Sequence, residues 1–545
     1  MSSKKGTVVK QAAFLMIATM ICRVIGLLYR SPMHAVMGSV GDGYYTIAFD
    51  WYSIILLIAS YSIPMAVSKV MSERLALGQY KNAQKVFKAA LLYVCIVGGA
   101  ASLFVYFGAP FLLTSTPGAI PALRILAPTI FLSGLLGVMR GYFQAHNTMM
   151  PTAISQIAEQ IINAVISILA AFLFTRAVTG EEDIAVWGAA GGTLGTGAGV
   201  MIGLVFMVLV YSVNRKGIAK RVMRDTTKEV ESYQQVFKTI LLMVTPVIFS
   251  TCVYNVSSII NQNMYIKMAI AAGVDARSAS SDYGVFGFQV KPILNIPIAL
   301  GSATATALIP AIAASYAKGD KKDALSKVDE SINLTTFIAI PASVGLCVLS
   351  YPIMGILYPG PDVFAAAVVL SMSSMTVLFY CLSSVTNGVL QGIGKPFLPV
   401  RNSAIALAVD VVVLFVGMKF FNMTIEALVM ANILYALTVF VANQMSIKTR
   451  MNYKNQIKKS YLIPLAAALG MGVVAGVIFW VPYKLFTSVF EHYMANAILT
   501  AIAVLAGVLS YVIFFVILQK PTDEELKKMP MGTKLLKIVK MLHLR

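Results

Sequence analysis

The sequence predicts an all-α polytopic membrane protein with about fourteen spanning helices, arranged as two six-helix lobes and two additional carboxyl-terminal helices. Three observations carry that prediction. Hydrophobic residues make up 58% of the 545, charged residues 12%, and mean hydropathy is +0.78, whereas soluble domains carry about 25% charged residues. Apolar stretches recur at roughly 20 residues, the length of helix that crosses a bilayer. Basic residues gather in alternate connecting segments, as expected of a chain threaded back and forth through a membrane.

Taken in order, the predicted spans lie near 11–29, 44–66, 86–108, 119–140, 150–174, 185–213, 237–260, 284–309, 330–351, 363–390, 398–418, 424–446, 461–481 and 494–518. The first, from Lys10 to Arg30, is too long for a cleavable signal and is followed by no small-residue cleavage site. The sixth holds GAAGGTLGTGAG at 188–199, a glycine density that predicts a kink or re-entry within it. The tail, 521–545, is basic with apolar residues interleaved at helical spacing. It is expected to lie on the anionic inner leaflet.

Of the 43 lysines and arginines, 34 fall on one side of this threading and six on the other; Arg23, Arg124 and Lys291 lie within or at the edge of spans. The positive-inside rule then places both termini in the cytoplasm of a multi-pass plasma-membrane protein, which needs an even number of spans. Because the net charge of +20 is distributed in this way, nucleic acid is not expected as a partner. Five cysteines sit in apolar segments without a CxxC pair, so a disulfide frame or metal site is not expected. The chain has no HExxH, GxSxG or phosphate-loop motif. It is therefore read as a transporter without a cofactor, not an enzyme, driven by a coupling monovalent cation or the membrane potential.

The two halves resemble each other. Ile63-Pro64 and Ile309-Pro310 each lead into a polar stretch, and Gly141-Tyr-Phe-Gln144 and Gly388-Val-Leu-Gln391 are both offset by 247 residues. Six spans per copy make these parallel repeats, with a substrate site expected between the lobes. The domain boundaries are 1–228 for the amino lobe and its linker, 229–455 for the carboxyl lobe, 456–520 for the extra spans and 521–545 for the tail.

Charges inside spans mark the candidate site. A guanidinium at the bilayer centre costs at least about 2.5–3.5 kcal/mol and cannot shed its proton. Arg23 therefore points either to a hydrated cavity with an anionic ligand or to snorkelling to an interface or pairing with a buried acid, and Arg30 joins it at the end of the same span. Arg124 is either a further substrate contact or an interfacial anchor. Asp50 and Glu159 are candidate cavity-lining or charge partners. Asp410, with Asn255 as a possible polar neighbour, is a candidate for ion coupling or for a structural pairing.

CRVIGLLYR (22–30), GDGYYTIAFD (41–50), SIPMAVSKVMSERLALGQYKNA (62–83) and KPILNIPIALGSATATALIPAIAASYAKGD (291–320), in this order and spacing, resemble the multidrug/oligosaccharidyl-lipid/polysaccharide exporter superfamily. Within it the chain is similar to SpoVB/YtgP-type proteins and MurJ-like lipid II flippases, over essentially its whole length. The resemblance implies a cavity lined by Arg23, which matches an Arg-Val-x-Gly stretch, by Arg30, one residue further along than its counterpart, and by Lys291. It implies an outer-gate role for Asp42, and loosely a carboxyl-lobe sodium site near Asp410 and Asn255. Spans 13 and 14 would line a groove for a lipid tail. A family arginine deeper in the second span has no counterpart in WYSIILLIASYSIP. The implied partners are lipid II or a related undecaprenyl-pyrophosphate lipid, membrane lipids and other cell-wall synthesis proteins. A polysaccharide-repeat flippase, a multidrug cation antiporter and a non-transporting envelope scaffold are the alternatives.

Overall fold

Helices form wherever the sequence offers an apolar stretch long enough to span. In the computed structural model, residues 2–61, 63–227 and 230–523 are described, together with Gly532 and Leu536, and no strand occurs among them. Most of the predicted basic tail lies outside the described residues. The amino-terminal helices are α1 (Ser2–Leu28), α2 (Arg30–Leu56), α3 (Ile63–Ala76), α4 (Tyr80–Tyr93), α5 (Gly99–Leu112), α6 (Ile120–Ala145), α7 (Met150–Arg176) and α8 (Glu181–Met223). They are followed by α9 (Tyr233–Ala271), α10 (Ala276–Gly284), α11 (Lys291–Thr306), α12 (Ile309–Ala317), α13 (Lys321–Val348) and α14 (Ser350–Leu357). The last are α15 (Val363–Ser373), α16 (Met375–Gly392), α17 (Phe397–Phe420), α18 (Ile425–Met451), α19 (Ile463–Val489) and α20 (His492–Gln519).

Among the described residues, twelve helical stretches are long and apolar enough to cross a membrane. The two other predicted spans, 11–29 and 237–260, fall on α1 and α9, each only partly described at the side-chain level. Outward-facing side chains confirm the solvent: Phe107 is 72% exposed, Val473 67%, Val481 74% and Leu505 67%. Water would penalise that much bare hydrocarbon, and a bilayer does not. The protein is a multi-pass membrane protein.

The apolar part of span 1 ends with α1 at Leu28, close to the predicted edge, but helical backbone continues beyond it. Pro32 lacks an N–H and its ring crowds the Leu28 carbonyl, which accounts for the irregularity at Tyr29. The dihedrals there stay helical, and the helix continues to Gly38, whose φ of 68° ends it. Span 6 is neither kinked nor re-entrant; α8 is one continuous helix of 43 residues. Its glycines serve packing instead. A Cβ on Gly191 would lie 2.6 Å from the Ala170 backbone, and one on Gly195 or Gly199 would lie 2.5 Å from the Asn163 or Glu159 carbonyl oxygen. Spaced by four, these positions form one stripe against which α7 lies almost backbone to backbone.

By packing, the chain forms two compact units, Met1–Phe288 and Gln289–Arg545. This division falls inside a helical segment, whereas the expected lobe boundary follows the sequence repeat. In the first unit a core of Ile63, Val67, Val70, Phe87 and Tyr142 joins α3, α4 and α6. The linker is tied to the α3–α4 turn: Asp225 accepts from the Lys81 backbone N–H at 2.6 Å, and Glu231 pairs with Arg74 at 2.6 Å. These hydrogen bonds hold the Asp225 carboxyl below its ordinary value. In the second unit Ile312, Val328, Leu382, Val389 and Ile447 form the matching core. The extra spans α19 and α20 pack on α13 through Ile340, Met471, Tyr511 and Phe515.

The repeat is visible in local geometry. Asn147 and Gly394, both at positive φ, donate to the Gln144 and Gln391 carbonyls. Gly78 and Gly319, at φ 74° and 78°, close the turns after α3 and α12. Gly141 lies tight against Pro64, and Gly388 against Ile309. The paired sequence motifs therefore make the same helix–helix contact in each unit.

Candidate functional site

Arg30 follows Arg23 by seven positions, about two helical turns, so their Cα atoms fall on one face of the first span, roughly 10 Å apart along its axis. Arg23 is exposed, in a helix whose apolar neighbours Ile21, Val24 and Leu28 are also exposed. Arg30 is half-buried. Its Nη1 donates to the Phe288 carbonyl at 2.8 Å, and its guanidinium lies over the Phe288 ring at 4.7 Å and the Tyr45 ring at 5.9 Å.

The acceptor belongs to a π-helical stretch, Val285–Val290, between α10 and α11. A π-turn widens the helix and offsets its carbonyls from the usual ladder, which makes Phe288 available to a side chain. The surrounding seam between α2 and α10 is built from small residues. A Cβ on Gly43 would collide with the Ser280 carbonyl, one on Gly284 would lie 2.9 Å from the Asp42 carbonyl carbon, and one on Gly287 would strike Thr46.

The acids of the first unit are engaged around this seam or away from it. Asp42 is fully buried, and its Oδ2 lies 2.7 Å from His34 Nδ1. The Gly38 reversal folds residues 34 and 42 together. Asp50 accepts from the Tyr283 hydroxyl at 2.6 Å. Glu159, on α7, pairs with Arg140 at 2.6 Å, and Arg140 also donates to Ser155 at 3.0 Å. Arg124 stands apart from this group. It is exposed, donates to the Tyr106 carbonyl at 3.3 Å and lies over that ring at 5.8 Å, with Phe107 and Phe111 exposed nearby on α5.

In the second unit, Lys291 is the first residue of α11 and is half-exposed. Asp410 is fully buried on α17. Asn255, half-buried on α9, belongs to the first unit rather than to the unit that holds Asp410.

Arg30, Asp42 and Asp50 thus share one neighbourhood, Glu159 has its own ion pair, and Arg124 lies elsewhere. His34, Arg140 and Tyr283 were not anticipated from the sequence. His34 carried a signal in its eight-residue spacing from Asp42 across a glycine; Tyr283 carried none, because its partner lies 233 residues away.

The chain matches the sequence profile of the family described as Lipid II flippase MurJ over residues 79–495. It is 27% identical over 526 residues to the lipid II flippase MurJ of Bacillus subtilis (strain 168), covering 93% of this chain and 94% of that protein. A solved structure of lipid II flippase MurJ in an inward closed conformation superposes with a TM-score of 0.66 at 17% identity, over 92% of this chain and 98% of that one. An inward-facing multidrug resistance MATE family transporter of the MOP superfamily gives a TM-score of 0.62 at 15% identity, over 78% and 95%.

Proposed function

Because the chain belongs to the lipid II flippase MurJ family, we propose that it carries lipid II from the inner to the outer leaflet of the plasma membrane by alternating access. The observation that supports this reading is the pairing of arginines on one face of the first span. Arg23 and Arg30 carry two permanent charges there. An undecaprenyl-pyrophosphate headgroup is the ligand that such a stripe suits.

The physical task fixes what the residues must do. Moving a pyrophosphate and a disaccharide-peptide through hydrocarbon unaided exposes charges and many polar atoms at prohibitive cost. Arg23 and Arg30 are the residues proposed to hold the pyrophosphate, and Lys291 is proposed as a further point charge for the substrate. Arg124, tied to Tyr106, serves as an anchor at the membrane interface. The His34–Asp42 pair would act at the outer gate. An inside-negative membrane potential favours outward movement of an anion by about 2.3 kcal/mol per charge per 100 mV, so the potential can supply the drive. Asp410 is the candidate ligand for any coupling monovalent cation.

In this reading both termini are cytoplasmic, so reporter fusions at residue 1 and residue 545 should both report inside. An outside signal from one terminus would contradict the even number of spans, and outside signals from both would invert the threading. The substrate is tested with purified protein in liposomes, offered labelled lipid II, an undecaprenyl-pyrophosphate oligosaccharide or an organic cation. Movement of lipid II is expected. Movement of only one of the other two would replace this function with a polysaccharide-repeat flippase or a cation antiporter.

A further inference from the structure

Between Tyr44 and Glu73 the chain holds a single basic residue, Lys69, and nothing above uses it. It lies on α3 about two turns before the helix ends at Ala76, close to the turn that leads to Lys81, Lys85 and Lys88. There Ser68, Lys69, Ser72 and Gln144 surround an open cavity of about 460 Å³, walled by Pro64 and Met65. Residues 65, 68, 69 and 72 share one face of α3, while Val67, Val70 and Met71 on the other face are buried in the core. The cavity is therefore built on a helix whose rotation is fixed.

Its chemistry is one-sided. The Ser72 hydroxyl donates to the Ala145 carbonyl at 3.3 Å, which leaves its oxygen as an acceptor. The Lys69 ammonium, the Ser68 hydroxyl and the Gln144 amide have no hydrogen-bond or ion-pair partner among the described residues. No acid lines the cavity; Glu73, one turn on, is exposed and lies outside it. An ammonium with three donors, beside a hydroxyl and an amide, is complementary to a phosphate or carboxylate bearing adjacent hydroxyls. The volume falls within the range of small-ligand sites, roughly 300–1,000 Å³.

We propose that this cavity is a headgroup subsite at the cytoplasmic mouth of the transporter, in which Lys69 holds a phosphate or carboxylate of the lipid-linked substrate before transport. The proposal rests on the function given above for the substrate class and the orientation.

Full-length protein in nanodiscs, titrated with labelled lipid II, tests it. Lys69→Ala should raise Kd about tenfold, the loss of one charge-assisted contact, with the melting temperature unchanged, and Lys69→Arg should remain near wild type. Repeating the titration with undecaprenyl pyrophosphate identifies the group held. An effect on both ligands assigns a phosphate, an effect on lipid II alone assigns a headgroup carboxylate, and either supports the subsite. Equal affinities of wild type and Lys69→Ala would overturn it. So would an effect seen only as altered affinity for phosphatidylglycerol in the nanodisc, because Lys69 would then be a bulk-lipid contact. If wild type fails to bind lipid II but binds an undecaprenyl-pyrophosphate oligosaccharide in a Lys69-dependent way, the lipid II assignment falls and the subsite stands.

Discussion

Arg30 answers two demands at once. Its position in the first span suits an anionic substrate, yet its Nη1 is spent on the Phe288 carbonyl and its plane on the Phe288 ring. A guanidinium can do both, because it offers five donors and a flat face. A lysine cannot reproduce that geometry. Arg30→Lys should therefore lower stability by about 1–2 kcal/mol, read as a fall in melting temperature in detergent, and Arg30→Ala should lower it further. A melting temperature unchanged in both would show that the contact with Phe288 carries no weight. Arg23 and Arg30 were legible in the sequence as costly charges in and at the end of an apolar stretch. The acceptor on Arg30 was not, since a backbone carbonyl 258 residues away leaves no mark in side-chain patterning. Asp42 was legible as a charge near a span end; that it would be fully buried against His34 depended on the sharp turn at Gly38.

Glycine spacing carried more than one meaning at the scale of helices. In α8 it suggested a break, but the structure uses it to let α7 approach, and a long apolar helix with satisfied backbone groups survives the weak propensity of glycine. The hydropathy window located the spans well, because length and apolarity are what a bilayer demands. It placed the end of span 1 at the last apolar turn, Leu28, but did not show that helical backbone continues past Arg30 and Pro32 to Gly38. The α2–α10 seam was not legible: Gly43 lies in the GDGYYTIAFD stretch and Gly284 at the start of a predicted span, but no spacing relates the two, and only the fold sets them against each other. Their contact is nonetheless restrictive. In Gly284→Ala the added Cβ meets backbone rather than a flexible side chain, so the variant should be destabilised by about 1–3 kcal/mol. Thermal unfolding of the purified protein measures this, and wild-type stability would mean that the seam opens freely.

Over the whole molecule, sequence and structure agree most closely where one physical rule acts on many residues. Apolar stretches of spanning length recur as long helices, and the 247-residue offset recurs as matched turns and matched glycine contacts in each unit. Ligand chemistry belongs to few residues and is correspondingly harder to read from the chain. It rests on a membrane protein keeping cations at Arg23 and Lys291 although hydrocarbon penalises them. The central claim is that these two residues serve an anionic lipid-linked substrate. The most direct test measures lipid II flipping in liposomes by wild type, Arg23→Ala and Lys291→Ala, each reconstituted at equal density and verified as folded. Transport by wild type and its loss in both variants is the predicted result; wild-type rates in both variants would contradict the account.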